Sequence, residues 1–455
     1  MLVAALQVGS PEWWVKRLYN ELMSRQGDMQ LYRDLVDDNH GPANTAEKSA
    51  KFAMLAGLST TNLTGLVIEA TAERMEVEGF RFGDNPDGDK DAWRIWQQSD
   101  FDAGSAEAIT HALVYGRCPI SVDPNGPRLI VEDPRQVIVA YSSDGRRDRL
   151  AALKVFTDEW TGAWYATLYL PGVIYRYKDE RSTPLMSAEP LWVLREVTGT
   201  PAISGNPLGE VPFFELRNRP LGRTRSEIAN LVIPQQRLNQ AVFNTDAVAE
   251  YGAFRQKWAT NVEVPTDPTT GLPMNPYDAN VAKMFIGGDG ANFGDFNPTD
   301  LSGYIELGRD IAAHMSRVSR IPITYFLSNV SNLGADTLAL LVSGLVKKCQ
   351  RRVKGYEPGF EGAMRLAFKS VGDPRANQLD AEVRWASMET RSVAQDADAA
   401  VKLVSGSVIT PQTAQEKYLG MSQTERDRDD AWRAEGNATS NLQAVLDAAQ
   451  AAPLP

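Results

Sequence analysis

Cysteine is almost absent from this chain of 455 residues: Cys118 and Cys349 stand alone, in segments with no evident relation. Two such thiols exclude a disulfide framework and suit a fold held by packing in a reducing compartment. Histidine is equally sparse, and His40, His111 and His314 fall in unrelated segments without metal-ligand spacing. No apolar run approaches the ~18 residues of a membrane-spanning helix, and the start, MLVAALQVGSPEWW, lacks the basic n-region and apolar length of a secretory signal. The chain is therefore expected to be soluble and intracellular when made, with no membrane partner, and the sequons at Asn62, Asn329 and Asn437 to be chance matches. Positive charge is in deficit as well, with 47 Lys and Arg against 58 Asp and Glu and a formal net charge of −11. Gripping a polyanion draws on clustered cations and counterion release, so this balance disfavours a tight nucleic-acid binder. It is compatible with a surface past which nucleic acid slides without sticking.

Motifs for chemistry are missing too. No phosphate-cradling P-loop and no nucleophile elbow occurs. Gly287–Gly294 offers Gly288 and Gly290 to a dinucleotide fingerprint, but Phe293 occupies the third glycine's place, and no strong strand precedes the run. The acidic loop Asp84–Asp91 fails as a calcium loop: with Gly88 on the invariant glycine, Gly83 falls at the first ligand position and Arg94 at the last. Asp396 and Asp398, two apart on a helical stretch, point to different faces and do not form an acid/base pair. The expectation is a non-enzymatic protein with no cofactor and no metal. Trp13, Trp14, Trp93 and Trp96, at helical spacing, are expected to be core or subunit-interface anchors rather than base-stacking platforms.

What is present is ordinary globular material, 43% hydrophobic and 23% charged, enough for about two or three domains. Helical patterns cover Glu12–Leu35, Asn62–Met75 and, as one region, Ala92–Tyr115, while Arg74–Phe82 alternates like a strand. From Cys118 to Tyr177 short apolar runs recur between turns, which implies an antiparallel sheet rather than βαβ units. Residues Thr198–Pro220, rich in Gly and Pro, read as a connector. The tail beyond Ser392 is Ala-rich and charged, helical at Asp396–Val404 and frayed after Asn437.

The stretch Leu221–Tyr356 carries the strongest signal. A helix capped by Ser226, with a kink or a fresh start near Pro234, leads to an excursion from Thr260 to Pro298. That excursion holds Pro265, Pro268, Pro273, Pro276 and Pro298, so short strands and turns are its realistic content. A return helix, Thr299–Arg320, puts Leu301, Ile305, Ile311, Met315 and Val318 on one face, with Thr299 as its cap and Pro322 as its terminator. A longer helix follows the polar loop Ser328–Gly334, with Leu338, Leu341, Leu345, Cys349 and Val353 on one face, and is expected to end before Pro358. Its last turns hold Lys347, Lys348, Arg351, Arg352 and Lys354. Two readings fit them: compensation of the helix dipole and bonding of acidic groups, or contact with nucleic acid or a neighbouring subunit. A compact domain rarely tolerates a connection of this length, so the helix–excursion–helix unit implies a projection.

Seven segments in this order, MEVEGFRF (75–82), AWRIWQQSDFD (92–102), HALVYGR (111–117), EDPRQVIVAY (132–141), VPFFELRN (211–218), SEIANLVIPQQRLNQ (226–240) and SRIPITYFL (319–327), resemble the portal protein of tailed bacteriophages, of the siphophage type common among actinobacterial phages. The resemblance implies an α+β portal fold: a mixed α/β wing over residues 1–220, a long helical stem at 221–258 and 299–320, and a small Pro/Gly-rich clip at 259–298. It also implies a tunnel loop at 321–335, a long wing helix at 336–372 and a helical C-terminal crown from 373 to 455. In such a protein Asn329, Ser331 and Asn332 would meet passing DNA, and Pro265, Thr269, Pro273, Asn275 and Tyr277 would dock the motor or adaptor. The implied setting is a dodecameric ring at a capsid vertex, assembled in the host cytoplasm. Its partners would be the terminase large subunit, a head-tail adaptor, major capsid and scaffolding proteins, and double-stranded DNA passing without sequence specificity. The rival expectation is a minor capsid or scaffold-associated head protein without a conduit.

Overall fold

The computed structural model describes residues 7–41, 55–83, 88–181, 190–197, 199–219, 224–253, 257–261, 268–271, 290–295, 300–327, 335–389, 393–421 and 425–436. The elements open with α1 (Pro11–Val36), α2 (Leu63–Ala72), β1 (Val77–Arg81), α3 (Lys90–Gln98) and α4 (Phe101–Tyr115). A run of strands follows: β2 (Arg117–Val122), β3 (Leu129–Val131), β4 (Val137–Tyr141), β5 (Arg149–Thr157), β6 (Trp164–Tyr169), β7 (Val173–Asp179), β8 (Trp192–Leu194), β9 (Ile203–Gly205) and β10 (Phe213–Arg217). Then come α5 (Val232–Ala253), β11 (Lys257–Thr260), β12 (Asn292–Asp295), α6 (Ser302–Ser319), α7 (Ala335–Ser370), β13 (Glu382–Trp385), α8 (Val393–Ser405) and α9 (Pro411–Lys417), and residues 425–436 are also helical.

Ser10 starts α1 by accepting the Trp13 amide at 3.2 Å, and Pro11 supplies a pre-set φ where no amide partner is needed. The helix then serves two cores. Val15, Leu18, Tyr19 and Leu22 share a face one helical repeat apart and pack on the sheet β4-β5-β6-β7-β8, whose strand β7 also pairs with β9. Met29 and Leu35, further along, enter the central core with α2, α4, β2 and α7. Asn62 caps α2, accepting the Gly65 amide at 2.6 Å while donating to the Val36 carbonyl, so it fastens the two helices together. At the centre Trp96 meets the rings of Phe80, Phe101 and Phe360 edge-on at 5.3, 4.9 and 5.6 Å.

The antiparallel sheet expected between Cys118 and Tyr177 is present, in two pieces, because β2 and β3 join β10 rather than the larger sheet. Thr198–Pro220 is therefore not a plain connector. Phe213–Arg217 pairs residue by residue with Arg117–Ser121, and the local Gly and Pro content masked a strand whose Phe213 and Leu216 are buried. The single helix expected over Ala92–Tyr115 is also divided. Asp100 sits in the left-handed region at φ 55°, and the buried Ser99 hydroxyl turns back to the Ile95 carbonyl while receiving the Leu129 amide.

The two rods begin later than expected. Ser226 does not cap α5; its hydroxyl receives the Ile228 amide within a tight turn, and the helix starts at Val232, leaving Pro234 in the first turn where its missing amide is harmless. Lys257 and Trp258, expected to end the first stem helix, belong instead to the strand Lys257–Thr260, which pairs with Asn292–Asp295 as a short hairpin. In that hairpin Trp258 lies over Gly294, where a Cβ would meet the indole. For α6, Thr299 lies outside the described residues, and the Asp300 carboxylate receives the Ser302 amide at 2.9 Å. Arg320 closes α6 at φ 59°, just ahead of Pro322. The segment expected to open the crown also turns back into the body: Glu382–Trp385 pairs with Val77–Arg81.

The largest departure is at Pro358, which does not end α7; the helix runs through it to Ser370. A proline inside a helix costs about 3 kcal/mol. The turns that follow bury Phe360, Met364, Leu366, Ala367 and Phe368, and each full burial contributes roughly 1.5–3 kcal/mol, so packing outweighs the proline. Gly359 lets α7 lie directly on β10, since a Cβ there would stand 2.8 Å from the Leu216 side chain and 3.0 Å from the Glu215 carbonyl. Pro358 itself is exposed. Replacing it with alanine restores an amide to the helix without touching the core, and calorimetry should show a higher unfolding midpoint, equivalent to a gain of about 1–3 kcal/mol. A lower midpoint would mean that the packing requires the bend.

Candidate functional site

Because α7 continues past Pro358, Lys347, Lys348, Arg351, Arg352 and Lys354 lie in mid-helix, where no helix end is available for them to compensate. They divide by depth. Lys348 is 3% exposed, and its ammonium donates to the Ser319 carbonyl at 3.1 Å and lies 3.4 Å from the Glu227 carboxylate. Arg352 donates to both Glu227 oxygens, at 2.9 and 3.3 Å. Lys347, Arg351 and Lys354 are exposed.

Glu227 is carried by the chain between β10 and α5. Asn218 donates its main-chain amide to the Gly116 carbonyl and its side-chain amide to Arg225, and the Glu227 amide reaches the Leu113 carbonyl at 2.8 Å. These bonds hold residues 218–219 and 224–227 over the end of α4 and drive the carboxylate inward, where Asn218 Nδ2 and Arg219 also donate to it at 3.1 and 3.3 Å. Burial alone would raise its pKa; the Lys348 ammonium and the Arg352 and Arg219 guanidiniums outweigh that and hold it at about 2. One carboxylate thus joins the 218–227 segment, α7 and, through Lys348, the last turn of α6.

Above this junction opens a recess of about 520 Å³ between the end of α6 and mid-α7. Its walls bring Arg219, Arg320, Arg351, Arg352 and Lys354 together with Lys348 around the single carboxylate of Glu227. In a chain of net charge −11 such an excess of cations selects for an anion. A larger recess of about 880 Å³ on the other side of the same turns shares Arg351 and Lys354 and adds Lys347, but Glu78, Glu357, Glu382, Glu389 and Glu416 balance its cations. Arg320 holds its place in the left-handed region, a conformation that costs a residue with a side chain roughly 1–2 kcal/mol.

Of the residues expected to act, Lys347, Lys348, Arg351 and Arg352 are brought to these recesses, with Lys348 and Arg352 committed to Glu227. Asn329, Ser331 and Asn332 lie outside the described residues, as do Pro265, Pro273, Asn275 and Tyr277; Thr269 is exposed in a turn. Sequence reasoning missed Glu227, Arg219 and Arg320. The available signal was Glu227 as the first acid after the run Arg217, Arg219, Arg223 and Arg225. Among the described residues no three His, Cys, Asp or Glu side chains come together as metal ligands, and no helix is long and apolar enough to cross a membrane.

Residues 21–441 match the family described as phage portal protein, SPP1 Gp6-like. The chain belongs to the phage portal protein family. Portal proteins of Mycobacterium phages D29 and L5 are 27% and 26% identical to it over 396 residues, covering 81% of this chain and 77% of each relative. A chain of a solved structure, the neck of a native GTA particle computed with C12 symmetry, aligns over 82% of this portal protein and 93% of its own length, at 11% identity and a TM-score of 0.39. The role of this portal protein is structural, as a component of the virion.

Substituting Glu227 with glutamine strands Lys348 and Arg352 without their counter-charge and should destabilise the fold by about 3–5 kcal/mol in denaturant titration. The pH dependence has a definite sign. Glu227 titrates near 2 in the fold and near the ordinary glutamate value of 4.5 when unfolded. Its contribution, about 3 kcal/mol, is complete above 4.5 and is lost as pH falls from there toward 2. The glutamine variant should lose this acid-sensitive component, and an unchanged acid profile would contradict the assignment.

Proposed function

We propose that this portal protein forms the dodecameric ring at one capsid vertex through which the terminase motor drives DNA inward and from which DNA later leaves toward the tail. In this reading α5 and α6 are the stem, the β11–β12 hairpin is the base of the clip that docks the terminase large subunit and the head-tail adaptor, and residues 321–335 hold the tunnel loop. The wing meets capsid and scaffolding proteins during assembly in the host cytoplasm. The crown starts after β13.

The observation that carries the reading is how α5 and α6 leave the body. Leu238, Ala241 and Phe243 bury the base of α5, and Ile311 and Met315 the end of α6, but none of the residues 244–250 or 302–310 is buried. On α6 this uncovered stretch, residues 302–310, is about 14 Å long, at 1.5 Å per helical residue, while α5 stays tied to the body as far as Asp246, which accepts the Ser59 hydroxyl. Ile305 and Leu307 on this part of α6 remain 46% and 43% exposed. Two positions apart, they face roughly opposite sides of the helix, so covering both takes a neighbour on each side. A ring built by one repeated heterologous contact supplies that.

Electron microscopy of the purified chain should show annular particles with an open axis, and a chain that stays monomeric at high concentration would end the proposal. Within assembled particles, replacing Asn329 and Asn332 with lysine should slow DNA packaging, because each added lysine–phosphate contact retains DNA in a salt-sensitive way. Packaging at the original rate would remove the tunnel loop from the account.

A further inference from the structure

The recess beside Glu227 carries more positive charge than its own junction uses. Lys348, Arg352 and Arg219 answer Glu227 at depth, while Arg320, Arg351 and Lys354 at the rim have no carboxylate in ion-pair contact among the described residues. Arginine at position 320 is held at φ 59°, where glycine would be favoured. Resting on the ring reading above, we infer that this recess is the socket for carboxylates of a second copy of the chain, and that Glu306 and Asp310 on the neighbour's α6 are the donors.

The shape favours a protein side chain over a nucleic-acid backbone. The floor cations are sunk, with side chains 3% exposed at Lys348 and 10% at Arg352, below the reach of phosphates fixed on a rigid duplex. A glutamate or aspartate standing out from a helix can enter such a recess. The donors follow by elimination along the two projecting helices. Asp246 accepts the Ser59 hydroxyl at 2.7 Å, Glu250 has a partner within the chain, and Asp300 holds the start of α6. Glu306 and Asp310 are exposed, stand one turn apart on the same face, and pair with no cation among the described residues. Exposed Ile305 and Leu307 flank Glu306, and Val318 lines the socket, so the contact that pairs the charges also covers the apolar side chain on one flank of Glu306. Asp310 and Arg320 are ten residues apart, about 15 Å along the helix, so the stems must lean across the ring by that offset.

The test is a charge swap in the full chain. Arg351→Glu with Lys354→Glu alters only exposed side chains, so the unassembled chain should remain folded and melt in a single cooperative transition, even with two charges reversed beside the glutamates of the larger recess. The concentration needed to form rings should rise about tenfold or more, as expected for like charges facing each other across an interface. Adding Glu306→Lys and Asp310→Lys to the same chain should restore assembly. In rings of the unaltered protein, mixed from isotope-labelled and unlabelled copies, a zero-length carbodiimide should join Lys354 to Asp310 or Glu306 of another copy. The inference is overturned if the first pair of substitutions leaves ring formation unchanged. It is equally overturned if the second pair fails to restore it, if no such inter-copy cross-link forms, or if rings persist and only DNA retention falls, which would assign the recess to nucleic acid. Absence of rings from the unaltered protein would instead sink the ring reading itself.

Discussion

One buried carboxylate sets the geometry of the rest. Glu227 is inaccessible to solvent and faces Lys348, Arg352 and Arg219 at ion-pair distance, with Asn218 donating as well. Burying an ion pair costs several kcal/mol per ion, so its worth lies in specificity of arrangement as much as in stability. Here the arrangement is the base of the α5–α6 pair. Glu227 stands five residues before α5, Lys348 bonds the last turn of α6, and two of the junction's three cations, Lys348 and Arg352, belong to α7. A shift of any one of these segments would leave a charge unpaired out of water, which makes the angle at which the rods leave the body a stiff one.

Other long-range junctions follow the same logic on the flank of the central core. Arg375 gathers Asp89, Asp91 and Asp373, and Asp89 also caps α3, so residues nearly three hundred apart in sequence share one cation. Glu416 on α9 receives Arg81 at 2.6 Å and Arg426 at 3.2 Å, which brings the C-terminal helices onto the β1–β13 ladder. Packing around Trp96 and Phe360 supplies most of the driving force, and the charged junctions select the register in which distant parts meet. The body is thus self-sufficient. The projecting rods, with Ile305 and Leu307 uncovered on two sides of α6, are not, and the proposed ring is what would complete them.

Much of this was legible in the sequence because it depends on local rules. The 3.6-residue stripe of α1, the short strands from Cys118 to Tyr177 and the stop at Pro322 all appear where periodicity and turn chemistry put them. The failures share a cause. Pro358 inside α7, the strand at Phe213–Arg217 and the break at Asp100 are cases in which distant packing overrides a local preference. The basic cluster was visible as composition, but its division into two structural cations and three exposed ones required Glu227, whose burial no local pattern announces. Ser226 looked like a helix cap by the same local rule and proved to close a turn.

The central claim is that Glu227 and Lys348 act as one unit holding the stem base, and a double-mutant cycle measures it most directly. Glu227→Gln, Lys348→Met and the double variant would be compared by denaturant unfolding of the unassembled chain. The account predicts strong non-additivity, with the double variant more stable than the sum of the single losses implies by roughly 1–3 kcal/mol. Losses that simply add, within about 0.5 kcal/mol, would contradict it.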